Sequence, residues 1–273
     1  MTPTTLLWLV TGCLMLQPLS TDLYLASLPG MASDFGVTPA AVQQTLSLFV
    51  FGFGTAQLIS GPLSDRYGRR PVLIGGLSVY LLSGLACALA PSLDWLVVAR
   101  FAQAIGCCTA VVVARAIIRD AYSPADGARV LAKASSLLAL APILGPILGG
   151  YLQVAFGWRA AFVALALAGL VVWIAAWRSM KESNSNPNRD AMRLGSLGRT
   201  YLDVIRTPAF WAYALPGAIS YASIFVFISG TPFVLIRVLG VATQYYGYLF
   251  AFGVCGNKEK NKSNGERCYF FPG

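Results

Sequence analysis

Gly61-Pro62-Leu63-Ser64-Asp65-Arg66-Tyr67-Gly68-Arg69-Arg70-Pro71 puts four charges and two glycines into eleven residues. The run before it, Phe35–Ser64, has no charged residue, and neither does the run after it, Pro71–Leu93. Each run is near or above the roughly 18–20 apolar residues that carry a helix across a bilayer core. A short arginine-rich turn between two such runs reads as a loop at the membrane edge. Its small residues allow close helix approach, Gly68 permits a tight turn, and Asp65 can pair with the arginines. A topogenic arginine cluster would explain the charges but not the glycines.

The pattern repeats outward from this loop. Met1–Thr21, Ala134–Trp158, Ala160–Trp177 and Thr207–Ile236 are uncharged too. Of the 273 residues 56% are hydrophobic and 11% charged, against about 25% charged in soluble domains. Membrane-barrel strands would be shorter and would alternate. The net charge of +9 does not indicate nucleic acid, because the basic residues lie between hydrophobic runs and not on one face. Met1–Ser20 has no positive n-region, so it reads as a retained first helix and not as a signal peptide. Cys13, Cys87, Cys107, Cys108, Cys255 and Cys268 form no C-x-x-C pair and read as structural apolar thiols. The chain has no His, no metal-ligand cluster, no nucleophile elbow and no phosphate loop, so an enzyme is not expected.

Seven full spans follow: Thr5–Ser27, Val42–Ser64, Pro71–Ala90, Trp95–Ile118, Leu131–Gln153, Ala160–Trp177 and Phe210–Ile236. An eighth begins near Gln244 and loses its apolar character after Cys255, too early to cross. Arg66, Arg69 and Arg70, then Arg119, Arg129 and Lys133, then Arg178, Lys181, Arg189, Arg193, Arg199 and Arg206 fall in alternate loops. The other loops hold only Arg159 and Arg237, at span ends. The positive-inside rule therefore predicts a cytoplasmic N-terminus. The chain divides into a six-helix unit (1–177), a polar cytoplasmic linker (178–208), the start of a second unit (209–255) and a tail (256–273). Before the tail the basic residues are 14 Arg and 2 Lys; within it they are 3 Lys and 1 Arg. This shift predicts a foreign end, from a frameshift or misjoined gene, with a natural soluble tail as the alternative.

The opening stretch resembles motif A of the major facilitator superfamily, G-x-L-a-D-r-x-G-r-k, at Gly61, Leu63, Asp65, Gly68, Arg69 and Arg70, with Arg66 between them. The resemblance implies a latch on alternating access, with Asp120 as a plausible partner. Arg100-Phe101-Ala102-Gln103-Ala104-Ile105-Gly106 resembles motif B, R-x-x-Q-G-x-G, with Ala104 in place of a glycine. The resemblance implies proton coupling through Arg100 and Gln103; an arginine snorkelling to the outer surface is the alternative. Pro142, Gly145, Pro146, Gly149 and Gly150 resemble motif C, the antiporter signature, with Ala141 at the usual first glycine. A generic kink and packing patch fits the same residues. Asp22 is the one acid inside the spans. It is a candidate proton carrier if it faces a cavity, and an ordinary surface acid if it lies at the outer membrane face. Aromatics such as Phe49 and Phe101 read as packing.

The segment through Pro29 and Ala114–Asp120 is similar to the bicyclomycin/chloramphenicol-resistance branch of drug–proton antiporters. The implied fold is an all-α membrane protein: the first six-helix bundle of the major facilitator fold, span seven and an incomplete span eight. The implied activity is export of small amphipathic drugs across the bacterial inner membrane. It would be driven by the proton gradient, with no cofactor and no partners beyond drug, protons and lipid. A truncated, non-transporting remnant is the second reading.

Overall fold

A computed structural model describes residues 3–184 and 194–262. Among these residues the secondary structure is helical throughout: α1 Pro3–Asp22, α2 Leu28–Asp34, α3 Pro39–Tyr67, α4 Arg69–Ala88, α5 Leu93–Ala121, α6 Pro124–Leu138, α7 Ala141–Phe156, α8 Arg159–Ser179, α9 Leu194–Arg206, α10 Pro208–Pro232 and α11 Thr243–Lys262. Local chemistry sets several starts. Thr38, Ser92 and Ser123 each accept a hydrogen bond from a backbone N–H three residues on, at 3.3 Å in each case, which satisfies an orphan donor of the first turn. Prolines at the first turns of α3 and α6 lose no bond there.

Seven segments are long and apolar enough to cross a membrane: Thr4–Asp34, Pro39–Tyr67, Arg69–Ala88, Leu93–Ala121, Pro124–Phe156, Arg159–Ser179 and Pro208–Val238. They match the seven expected spans, and two of them are broken. The first is α-helical to Asp22, passes through a 3-10 turn at Leu25–Ser27 and resumes as α2. Span one therefore reaches Asp34 instead of stopping at Ser27. The fifth is divided between α6 and α7 at Ala139 and Leu140. Pro142 has no N–H to give the Leu138 carbonyl, and its ring crowds that carbonyl, so the helix stops and restarts. The seventh ends in a π-helical stretch, Phe233–Val238, immediately after Pro232. Span eight departs from expectation in length. Helix α11 continues to Lys262, past the loss of apolar residues after Cys255, yet it is not among the membrane-crossing segments. Residues 263–273 of the expected foreign tail lie outside the described residues. Within the expected linker, α9 is a 13-residue helix whose Tyr201 hydroxyl donates to the Leu58 carbonyl at 2.5 Å.

Helix α5 is the central staff, packed against α3, α4 and α1, and α8 packs against α4. Two apolar cores follow one another along the bundle. One gathers Leu9, Leu73, Leu77 and Ile117; the other gathers Leu28, Leu46, Leu96 and Phe162. Cys13, Cys87, Cys107 and Cys108 are buried free thiols, as expected; the side chains of Cys255 and Cys268 lie outside the described ones. Helix α10 buries only Pro232. Its exposed Tyr213, Ile219, Val226 and Phe227 suit a hydrocarbon solvent, in which apolar side chains need no protein cover.

Candidate functional site

Asp22 closes α1 and is 5% exposed. Its Oδ1 accepts the Thr21 hydroxyl at 2.9 Å, and among the described residues no arginine or lysine pairs with it. The carboxyl lines a cavity of about 40 Å³ together with Thr21 and, from α10, Tyr221, Ile224, Phe225 and Ile228. Asp22 therefore faces a cavity and does not lie on an outer surface. Both units of the chain contribute walls.

Arg100 is fully buried on α5, which excludes the snorkelling alternative. It does not bridge to Asp22. Its Nη1 donates to Gln103 Oε1 at 2.7 Å and its Nη2 to the Ser20 carbonyl at 2.9 Å. The guanidinium carbon lies 4.4 Å from the Tyr24 ring centroid and 4.2 Å from that of Phe49. Tyr24 and Phe49 belong to different apolar cores, so the cation sits where the two meet. A buried cation without a carboxylate is costly, and the ring faces offset part of that cost. Phe49, read as packing, is thus also the floor under Arg100. Arg100 thus meets the α1 backbone two residues before Asp22.

The motif A residues split into members and bystanders. Arg69 is buried, with its Nη1 2.6 Å from Asp65 Oδ1 and its Nε 2.8 Å from Asp120 Oδ2. The same Nη1 donates to Ser64 Oγ at 2.6 Å. One planar fork thus gathers the ends of α3 and α5 at the start of α4. Gly68 has φ +98°, a conformation that favours glycine. Arg70 donates to the Trp177 carbonyl at 3.3 Å. Arg66 stands apart, over the Tyr67 ring at 5.2 Å. Leu63 packs against the first core. Gly61 meets no neighbouring helix: an added Cβ would have nothing within 4 Å.

Motif C presents two faces. A Cβ on Gly145 would lie 3.0 Å from the Asp22 Cβ, and one on Gly149 would overlap the Leu23 carbonyl oxygen. Gly150 looks the other way, where a Cβ would lie 2.7 Å from the Thr243 carbonyl at the start of α11. Pro142 and Pro146 lie in α7 on either side of Gly145, and Pro142 explains the break from α6.

The sequence pattern of the Major Facilitator Superfamily matches residues 10–257. The chain belongs to the major facilitator superfamily. Its relatives include a bicyclomycin resistance protein homolog of Haemophilus influenzae, 30% identical over 88% of this chain and 60% of that protein. A chloramphenicol resistance protein of Pseudomonas aeruginosa is 34% identical over 87% of this chain and 56% of that protein. The Escherichia coli multidrug resistance protein MdtL is 27% identical over 87% and 60%. The first two are named for the resistances of the branch that the motifs resemble, and the chain spans 56–60% of the length of these three relatives. Among solved structures, a bacterial homolog of the human lysosomal transporter Spinster, in an inward-facing and unoccupied conformation, aligns with TM-score 0.73 and 20% identity. That alignment covers all of this chain and 66% of the other. A D-xylose–proton symporter aligns with TM-score 0.66 and 15% identity, over 95% and 69%. These two alignments carry the fold.

Within this major facilitator chain the structure adds groups that the motifs do not contain. Glu182, just after α8, accepts the backbone N–H groups of Arg69 at 2.8 Å and Arg70 at 3.1 Å. Its Oε2 occupies the space a Gly68 Cβ would need, 2.6 Å away. Burial pushes the Glu182 carboxyl upward, but the backbone donors of Asn184, Arg69, Arg70 and Ser183 outweigh it and hold the group below the ordinary carboxylate range. At the opposite end of the bundle Arg237 donates to the Pro29 carbonyl and to Ser33 Oγ, each at 2.9 Å. Gln43 donates to the Ser229 carbonyl at 3.0 Å. These bonds fasten the second unit to the first at the end away from motif A. A side chain that binds backbone groups leaves no sequence pattern, and that is why the motifs did not reveal them.

Proposed function

We propose that this chain carries the first bundle of a proton-coupled exporter of small amphipathic drugs, working by alternating access in the bacterial inner membrane with its N-terminus in the cytoplasm. The observation that carries this reading is Asp22: a buried carboxyl without a basic partner, facing a cavity whose other wall is an aromatic and aliphatic face of α10. Protonated, the carboxyl is a neutral hydrogen-bond donor in an apolar wall. Ionised, it makes the same wall polar and attracts water or a cation. A drug that places a positive or hydrogen-bond donor group on the ionised carboxyl would compete with the proton for it, which is the requirement for exchange. Arg100 holds the Ser20 carbonyl and so the segment bearing Asp22, while Asp65, Arg69 and Asp120 hold the motif A end together. The resistance proteins among its relatives support the substrate class.

Asp22→Asn tests this reading. The expected outcome is loss of drug tolerance in a hypersensitive host, together with loss of drug-induced proton movement in everted vesicles. Tolerance equal to that of the unaltered chain would remove Asp22 from the mechanism.

A second reading is that the chain as it stands does not transport. The nearly complete exposure of α10 supports it, because sites in this fold lie between two bundles. Expressing the chain alone, and joined to the second bundle of a relative, separates the two readings: tolerance only in the joined form selects the second.

A further inference from the structure

Motif C carries an antiporter association by resemblance alone, and the geometry around α7 supplies a physical reason for it. Gly145 and Gly149 are four residues apart, so they share one helix face. That face lies against the only stretch of span one that is not regular α-helix. Between Asp22 and Leu25 the backbone leaves the α-helix before the 3-10 turn begins. Side chains on α7 would hold that stretch away. The Leu23 carbonyl occupies the position a Cβ on Gly149 would take, and the Asp22 Cβ is in tight contact with the position of one on Gly145. Gly150 is turned toward α11, where Thr243 and Gln244 abut it. One motif therefore serves two contacts, and only one of them involves the acid.

We infer that Gly145 and Gly149 are positioning residues for Asp22: motif C is the seat on which the break in span one rests, and it fixes where the carboxyl meets the cavity. The inference rests on the proton-exchange reading of Asp22 above. The seat has a rigid back. Pro142 separates α7 from α6, and Pro146 stands between the two glycines, so α7 enters the contact as a short separate piece. The polar groups facing Asp22 are Thr21 on α1, whose hydroxyl donates to it, and Tyr221 on α10, which lines the same cavity. Arg100 on α5 reaches only the Ser20 carbonyl. If the seat is raised by one methyl group, the carboxyl moves relative to all of these, while none of them is altered chemically.

The test uses the full chain in lipid nanodiscs. The Asp22 carboxyl band is identified in infrared difference spectra by its loss in Asp22→Asn and is then titrated. Amide exchange is followed in peptides that contain Asp22–Leu25. Gly145→Ala and Gly149→Ala are compared with two controls. Gly150→Ala crowds α11 instead, and Gly75→Ala meets nothing within 4 Å. The proposal expects both seat variants to move the Asp22 midpoint by about one pH unit and to speed exchange at the break roughly tenfold, with both controls unchanged. If Gly149→Ala does not fold, the milder contact at Gly145 decides. A titrating band whose midpoint is the same in folded seat variants overturns the proposal, even if exchange at the break quickens, because that pattern is packing alone. A midpoint that moves equally in Gly150→Ala also overturns it. A wild-type spectrum with no titrating Asp22 band overturns the proton-exchange reading, and the proposal with it.

Discussion

Glu182 meets four backbone N–H groups, from Arg69, Arg70, Ser183 and Asn184, at 2.8–3.1 Å. Two of these are orphan donors in the first turn of α4, so a side chain more than a hundred residues away in sequence caps that helix. Because the bonds go to the charged form, the folded carboxyl is held below its ordinary range. The sign follows from that. Glu182's contribution is complete above the ordinary carboxylate value of about 4.3 and is lost as pH falls through the lower folded value. Amide exchange at Arg69 and Arg70 is therefore expected to be slow and flat from neutral pH to about 4.3, once the intrinsic pH dependence is removed, and to rise in stronger acid. Glu182→Gln should show fast exchange at neutral pH with no further acid step. Asp65 and Asp120 stand beside the same helix start, and the comparison with Glu182→Gln isolates the one group. At this scale the sequence was only half legible. Asp65, Arg69 and Asp120 could be read as a set because the resemblance to motif A implies the first two and suggests the third as their partner. Glu182 could not, and the buried Arg100 is partnered by rings and a carbonyl that no charge pattern reveals.

At the scale of elements, every long uncharged run became a span, because a bilayer demands internally bonded backbone over the full thickness of its core. The breaks were harder to read. The one in span five follows from Pro142, whose missing N–H stops α6. The one in span one has no proline or glycine at Asp22–Tyr24 itself, but Pro29 has no N–H to give the Leu25 carbonyl, so the helix restarts at α2 much as it does at Pro142. Span eight fails to cross as expected, and α11 shows why the two properties part: loss of apolar character ends membrane compatibility, not helicity, and the helix runs on to Lys262. The π-helical stretch after Pro232 aims Arg237 at the exposed end of α2. Arg237→Ala removes the bonds to the Pro29 carbonyl and Ser33, a loss of about 1–3 kcal/mol spread over an exposed site. Spin labels at Ala40 and Val238 are expected to report a longer and broader distance distribution in this variant. An unchanged distribution would mean that the Gln43–Ser229 bond suffices to hold this end closed.

For the molecule as a whole, charge is distributed by end. The contacts of Arg69 with Asp65 and Asp120, and of Glu182 with the start of α4, bring the turns after α3, α5 and α8 to one end of the bundle. Those turns and the helix ends beside them carry Arg66, Arg69, Arg70, Arg119, Arg178 and Lys181, and α6, which follows the turn after α5, adds Arg129 and Lys133. The opposite end carries Arg159 and Arg237, and both are engaged: Arg159 with the Ala90 carbonyl and the Trp158 ring, Arg237 with α2. An arginine already bonded to protein adds little to the pull of an anionic, cytoplasm-facing surface, whereas each free base near that surface contributes about 1 kcal/mol. Arg69 and Arg70 are engaged as well, and the remaining excess of bases at the motif A end supports the proposed cytoplasmic position of that end. A reporter enzyme active only outside the cytoplasm provides the check. Fused after Gly36, Leu89 or Gly157 it is expected to be active, and after Tyr67, Tyr122 or Ser179 silent. The reverse pattern would put the motif A end outside the cytoplasm. Asp65, Arg69 and Asp120 would then hold the outer face, and the proposed cytoplasmic position of the N-terminus would fall.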